Sequence, residues 1–150
     1  MYLGGVKTTP ILSTMTPRQR TILLTAAIFG LLGILLGTFG AHGIQQKVSA
    51  YEYKNYEKGV QYHYFFTLMM FVLGLLAGFL KEVKGIFVVF VFFVVGVILF
   101  SGSLYLIASA PVTGLNMPGF IFLVTPIGGF CFMIGWVWLI VSFFRVRVNQ

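Results

Sequence analysis

Two histidines are the residues of this chain best suited to bind a metal ion or a haem. They are His42 and His63, and an imidazole nitrogen is a common ligand of zinc, copper and haem iron. Two ligands alone make a weak pattern, because no acidic residue sits in the apolar runs to help complete a zinc shell. Met69 and Met70 are more typical of packing than of copper binding. No cofactor is therefore expected, and His42 and His63 remain weak candidates for metal ligands.

No catalytic set can be assembled from the remaining residues. The chain has no phosphate-binding loop, no paired carboxylates and no nucleophile beside a base and an acid. Its acidic residues, Glu52, Glu57 and Glu82, lie outside the apolar runs, whereas proton- or sodium-coupled transporters generally use buried carboxylates. The sequence therefore predicts a protein that is not an enzyme, and leaves open a channel or carrier for a neutral molecule.

Most of the chain must lie in lipid. Of its 150 residues, 59% are hydrophobic and only 9% are charged, too few to cover a soluble surface. The apolar residues form long runs, each able to cross about 30 Å of hydrocarbon as a helix. We predict an all-α integral membrane protein with four transmembrane helices in an antiparallel bundle. An N-terminal cytoplasmic or interfacial segment, residues 1–19, precedes a domain over residues 20–147 with spans at about 22–41, 59–80, 85–108 and 120–144.

The basic residues predict the orientation of the bundle. The side that holds both termini carries Lys7, Arg18, Arg20, Lys81, Lys84, Arg145 and Arg147, and the other side carries Lys47, Lys54 and Lys58. Because basic loops stay inside, we predict a multi-pass membrane protein with both termini in the cytoplasm or its organellar equivalent. The net charge of +7 comes from these helix anchors, so the expected partner is the lipid bilayer and not nucleic acid.

Local patterns predict where two of the helices begin. The run Ser49-Ala50-Tyr51-Glu52 is typical of a capping box, so we expect a short amphipathic interfacial helix from about residue 50 that bends near Gly59 into the second span. Pro126 leaves two alternatives for the fourth span. Its helix either starts near Pro118 and kinks, or starts at Pro126 with Thr125 as its cap.

Small residues at helical spacing indicate the faces that pack between helices. Close approach of backbones favours association in lipid, and glycines recur along three spans, as Gly30, Gly33, Gly37, Gly40, Gly74, Gly78, Gly128 and Gly129. The third span begins instead with bulky residues on every face over 87–95. Part of that surface must meet lipid or a partner subunit, so a homo-oligomer or a larger membrane complex is a further hypothesis.

Nearly all polar side chains of the spans fall in their outer half, the half away from the termini. Facing lipid would be costly for them, so we expect them to point inward. They then form either a hydrogen-bonded seam or a small ligand-binding cavity open to the outer side. These residues, called the polar layer below, are Thr38, His42, Gln61, Tyr62, His63, Ser101, Ser103, Tyr105 and Thr125.

Three stretches resemble the motifs of a known family. They are Gly37-Thr38-Phe39-Gly40-Ala41-His42-Gly43, then Leu99-Phe100-Ser101-Gly102-Ser103-Leu104-Tyr105-Leu106, and Thr125-Pro126-Ile127-Gly128-Gly129 followed by Gly135-Trp136. Together they are similar to domain of unknown function 423, a family of small uncharacterised inner-membrane proteins. The resemblance covers residues from about 20 to 145, and it implies a four-helix, multi-pass protein of the bacterial inner (plasma) membrane without an established activity.

One position departs from the family pattern. The family usually has Tyr-Gln-x-x-His at the start of the second span, and here Tyr62 matches its tyrosine, His63 its glutamine and Phe66 its histidine. The resemblance therefore implies a histidine moved one turn toward the outer surface, which weakens the case for carrying a fixed two-histidine site over from the family, although residues three apart remain neighbours on a helix.

Three functional hypotheses follow from the sequence. The leading one is a non-enzymatic structural or accessory membrane protein, or a small-molecule-binding one, whose candidate site is the polar layer. The alternative is a transporter or channel for a small neutral solute, which requires a wet cavity reaching the midplane. The third is a haem or metal protein that uses His42 and His63.

Overall fold

The computed structural model describes residues 15–79 and 85–145. The predicted turn at residues 81–84 and two predicted basic anchors, Lys7 and Arg147, lie outside these described residues. Within them, four helices are long and apolar enough to cross a membrane, which confirms the predicted all-α membrane fold. They are α1 (Pro17–Ile44), α2 (Ala50–Phe79), α3 (Ile86–Thr113) and α4 (Ile121–Phe144).

Helix α1 begins earlier than the predicted first span. Thr16 caps it, because its hydroxyl accepts a hydrogen bond from the Gln19 amide at 3.1 Å, and Pro17 occupies the first helical turn. The segment assigned to residues 1–19 therefore includes the first residues of this helix. At its other end, α1 finishes in a π-helical turn over Gly40–Ile44.

Helix α2 opens with the predicted capping box. The Ser49 amide donates to the Glu52 carboxylate at 2.7 Å, and the Glu52 amide donates to the Ser49 hydroxyl at 3.3 Å. The helix then runs without a break from Ala50 to Phe79. The expected interfacial helix is thus its first turns and not a separate element. Gly59 serves packing, since a Cβ there would lie 3.2 Å from the Leu104 Cβ.

Helices α3 and α4 also differ from the prediction at their ends. Helix α3 continues to Thr113 through Pro111, and Gly114 closes it in the left-handed conformation with φ 66°. A π-helical turn over Val97–Ser101 lies in its middle. Helix α4 begins at Ile121, so the alternative in which it starts at Pro126 with a Thr125 cap is wrong.

The helices pack in chain order, each mainly against the next, and α1 makes only a marginal contact with α3. Neighbouring helices run antiparallel. Gly40, near the end of α1, packs on the Tyr56 ring near the start of α2, and Gly78, near the end of α2, packs on Gln19 near the start of α1. Arg18 likewise lies over the Phe87 ring, 5.9 Å from its centroid. The ends near Arg18 and Phe144 therefore share one side, called the terminal end below, and the opposite side is the distal end.

Glycines allow close packing at two interfaces. On α1, a Cβ added at Gly33 would lie 3.1 Å from the Tyr64 ring, and one added at Gly40 would overlap the Tyr56 ring. On α4, a Cβ at Gly128 would overlap the backbone of Phe100, whereas at Gly129 the nearest atom is 3.9 Å away. Gly128 therefore faces α3 directly, and its neighbour Gly129 does not.

Aromatic rings fill the core between α2, α3 and α4. The Phe66 and Phe132 rings stack with centroids 3.5 Å apart, and the Phe93 ring meets Phe66 edge-on at 4.9 Å. The bulky start of α3 contributes to this core, and α3 is the most buried of the four helices. Val91 and Val95 remain exposed on its outer surface, at 43% and 38%.

Candidate functional site

His63 is the centre of the polar layer and links three helices. Its side chain is buried, with 4% exposed. Nε2 lies 2.9 Å from the Phe29 carbonyl oxygen of α1, and Nδ1 lies 3.2 Å from the Tyr105 hydroxyl of α3. Because a carbonyl oxygen only accepts, Nε2 carries the hydrogen of the neutral ring and Nδ1 accepts from Tyr105. Both ring nitrogens therefore have partners inside the protein.

Tyr56, seven residues before His63 on α2, also bonds to a backbone carbonyl of α1. Its hydroxyl donates to the Leu36 carbonyl oxygen at 2.9 Å, and Leu36 is seven residues after Phe29 on α1. The Tyr105 ring covers Tyr56, with centroids 4.9 Å apart. Tyr56 falls within the interfacial helix that the sequence predicts from about residue 50 to Gly59. In the sequence, Gly40 is the signal for this contact, because a glycine leaves room on α1 for a large ring.

Ser103 and Thr125 form a second hydrogen-bonded pair, between α3 and α4. The Ser103 hydroxyl donates to the Phe100 carbonyl oxygen at 2.9 Å and lies 2.6 Å from the Thr125 hydroxyl. Since the single Ser103 hydrogen is used on Phe100, Thr125 is the donor in the shorter contact. This pair is therefore bonded to a carbonyl group of the π-helical turn of α3.

The other members of the polar layer do not join these pairs. Tyr62 is 41% exposed, and its ring lies against Phe100 with centroids 4.5 Å apart. Ser101 is fully buried in the π-helical turn of α3. The three remaining residues are exposed on the surface of the helices, namely Thr38, His42 and Gln61.

The structure does not bring His42 and His63 together. The His63 ring meets α1 between Phe29 and Gly33, and His42 follows Gly33 by nine residues, which is about 13 Å along a helix at roughly 1.5 Å per residue. Metal ligands lie within about 2 Å of a shared ion. Residues 15–79 and 85–145 also contain no group of three His, Cys, Asp or Glu side chains that could hold a metal.

Phe66 occupies the position that the resemblance aligned with a family histidine. Its ring is 3% exposed and stacks on Phe132 within the aromatic core. This chain thus places an apolar ring at that level, while His63, one turn nearer the distal end, makes the polar contacts.

Two buried hydroxyls, one of them in the polar layer, have no partner in the described part of the chain. Thr67 Oγ1 and Ser101 Oγ have no hydrogen-bond partner among the residues that the structure describes. Such groups are rare in protein interiors, because an unpaired buried hydroxyl costs free energy. Thr67 was not among the predicted site residues, although it lies one turn from His63.

The family is decided by a match that contains this whole layer. Residues 36–129 match the model of the family described as "Protein of unknown function (DUF423)". The chain belongs to this family. The matched residues include the π-helical turn of α1, both hydrogen-bonded pairs and Gly128 of the α3–α4 contact.

Curated relatives in this DUF423 family are similar over most of their length. "UPF0382 membrane protein YwdK" of Bacillus subtilis (strain 168) is 35% identical over 124 residues, 83% of this chain and 96% of the relative. "UPF0382 inner membrane protein YgdD" of Escherichia coli (strain K12) is 36% identical over 130 residues, 86% of this chain and 93% of the relative. No solved structure matches the chain.

Proposed function

We propose that this DUF423 protein is a non-enzymatic structural or accessory component of the inner membrane. The observation that carries the proposal is the use of the polar layer between the protein's own helices. His63 bonds to α1 and α3 at its two ring nitrogens, and Ser103 bonds to Thr125 of α4. These polar side chains therefore connect the helices of the protein, a common role for such residues in membranes.

This arrangement favours the structural hypothesis over transport. A carrier must exchange the partners of its polar groups between solute and protein, and its site lies in a cavity near the midplane. Here, His63 and Tyr105 are bonded to each other and sit next to closely packed glycines and aromatic rings. If these side chains bound a solute, the hydrogen bonds of His63 to the Phe29 carbonyl and to the Tyr105 hydroxyl would be broken. An unpaired polar group is costly in a region of low dielectric.

The surface of α1 supports an accessory role. This helix packs mainly on α2 and is the least buried of the four helices. Its outer face is a continuous apolar surface, suited to lipid or to another membrane protein. We therefore extend the proposal to a homo-oligomer or a larger membrane complex, with contacts through the exposed side chains of Leu24, Ile28, Leu31 and Leu35.

The orientation is part of the same proposal. At the terminal end, Arg18, Arg20 and Arg145 flank the helices, and the distal end carries Lys47, Lys54 and Lys58. The full sequence has further basic residues near both termini and in the predicted turn at residues 81–84. The positive-inside rule then favours both termini in the cytoplasm.

Two measurements on the full chain test this function. In proteoliposomes, the permeability to glycerol and urea should equal that of protein-free vesicles. In native membranes, a photo-crosslinking residue at Leu31, on the exposed face of α1, should yield one discrete adduct with a protein, while the same residue at buried Leu73 yields none. Permeability that rises with protein and falls when Tyr105 is changed to Phe would overturn the proposal in favour of a solute pathway.

A further inference from the structure

The two unpartnered hydroxyls lie at the same level of the bundle. Thr67 follows His63 by four residues on α2, which runs toward the terminal end, and Ser101 precedes Tyr105 by four residues on α3, which runs away from it. Residues four apart share a helix face. Both hydroxyls therefore lie one turn to the terminal side of the His63–Tyr105 hydrogen bond.

Both residues also face the interior. Ser101 belongs to a buried stripe of α3 that faces α2, because Leu104 in the stripe lies against Gly59 and Ala108 packs with Tyr56. Thr67 belongs to the buried stripe of α2, and its methyl group would lie 3.7 Å from a Cβ added at Gly30 of α1. Their exposed fractions are 0% for Ser101 and 9% for Thr67.

Their own helices offer neither hydroxyl a partner. A serine in a membrane helix usually bonds to the carbonyl four residues before it, which for Ser101 is that of Val97. Ser101 makes no such bond in the π-helical turn, where the Val97 carbonyl accepts from the Gly102 amide. Such turns are frequent at functional sites in proteins because they displace one residue from the regular ladder.

We propose that Thr67 Oγ1 and Ser101 Oγ together hold a bound water between α2 and α3. A bound water typically makes two to four hydrogen bonds to polar groups that otherwise lack partners. The ligand is uncharged, because no Asp, Glu, Lys or Arg lies in the described parts of α2 and α3 between residues 59 and 113. Water is the smallest molecule that can both donate to and accept from two hydroxyls.

A double-mutant cycle on the folded protein in nanodiscs tests this site. We compare Thr67→Val, Ser101→Ala and the double variant by equilibrium unfolding. If one water links the hydroxyls, each single substitution removes one hydrogen-bond partner of the water and lowers the folding equilibrium constant about tenfold. The double variant then loses about the same tenfold and not a hundredfold, since both substitutions break one bridge.

The opposite result has an equally clear signature. If the hydroxyls are unpaired in the folded protein, removing either one raises the equilibrium constant, and the two effects multiply. That outcome overturns the proposal. Ser142→Ala is the matched control, because Ser142 is also buried but its hydroxyl donates to the Trp138 carbonyl at 2.7 Å. Combined with Thr67→Val, it should show no coupling.

A second measurement needs no substitution. In solid-state NMR of the wild-type protein in lipid, magnetisation that starts on water should reach Thr67 and Ser101 earlier than it reaches Ser142. Equal and slow transfer to all three residues would contradict a water at this site.

Discussion

Among single residues, His63 shows how a membrane protein can bury an imidazole by giving each ring nitrogen a hydrogen-bond partner. A neutral imidazole has one donor and one acceptor, and here the donor meets the Phe29 carbonyl while the acceptor meets the Tyr105 hydroxyl. The match is complete, so the ring can lie between α1 and α3 without the penalty of an unpaired polar group. His42, on the exposed surface of α1, has no comparable environment.

The first residue-scale prediction concerns the tautomer of His63. Since the Phe29 carbonyl can only accept, the neutral ring should carry its proton on Nε2 and none on Nδ1. Nitrogen-15 NMR of the histidine-labelled protein, recorded where the ring is neutral, resolves the two ring nitrogens. A proton bonded directly to Nδ1 would contradict the contacts at Phe29 and Tyr105.

The second residue-scale prediction concerns the Tyr105 hydroxyl. The substitution Tyr105→Phe leaves the buried Nδ1 of His63 without a donor, so it should lower the free energy of unfolding by about 1–3 kcal/mol. Tyr62→Phe is the control, because Tyr62 is 41% exposed, and it should change stability by no more than about 0.5 kcal/mol. Unfolding of both variants in the same detergent is the measurement. Equal effects would mean that the hydrogen bond contributes nothing.

At the scale of the helices, glycines determine how closely α4 approaches α3. Gly128 faces the backbone of Phe100, which cannot move aside without shifting the whole of α3. Flexible side chains line the other contacts, such as the Phe93 ring beside Gly135. The α3–α4 interface should therefore be least tolerant at Gly128, where backbone meets backbone.

Two adjacent glycines give a matched test of this interface. Gly128→Ala should lower the free energy of unfolding by about 1–3 kcal/mol, because the added methyl group overlaps the Phe100 backbone. Gly129→Ala should be close to neutral, since its nearest neighbour would lie 3.9 Å from the new Cβ. Thermal unfolding in detergent compares the two. Similar losses in both variants would mean that helix flexibility, and not contact, governs these positions.

At the scale of the whole molecule, α1 lies at one edge of the bundle. It contacts mainly α2, through the face that carries Gly30, Gly33, Gly37 and Gly40. The opposite face of α1 is apolar and exposed along its length. The helix with the fewest packing contacts to the rest of the bundle therefore presents a continuous apolar surface.

The whole-molecule prediction is the direction in which the protein crosses the membrane. In a Cys131→Ser background, Lys54→Cys lies at the distal end and Arg145→Cys at the terminal end, both on exposed residues. A membrane-impermeant maleimide should label Lys54→Cys in intact cells or spheroplasts, and Arg145→Cys only after permeabilisation. The reverse pattern would mean that the basic residues do not set the topology of this protein.

Much of the fold was predictable from the sequence, because its signals are local. Four apolar runs predicted four helices, and Ser49 with Glu52 predicted the start of α2. The cap at Thr16 was equally local and was missed, although Pro17 follows it directly. Hydrophobic length and capping chemistry act within a few residues, so the sequence contains them in full.

The partners of the polar layer could be decided only by the tertiary structure. The amino-acid sequence alone determined that nine polar residues share one half of the bundle, because the depth of a residue in the membrane depends on its position along the span. It did not determine the rotation of each helix about its axis, on which the pairing of His63 with Tyr105 and of Ser103 with Thr125 depends. That rotation follows from packing, where the glycines of α1 and α4 admit Tyr56 and the Phe100 backbone. The same packing gave Thr125 a partner on α3 in place of a helix cap, because a hydroxyl takes whichever acceptor the neighbouring helix brings within reach.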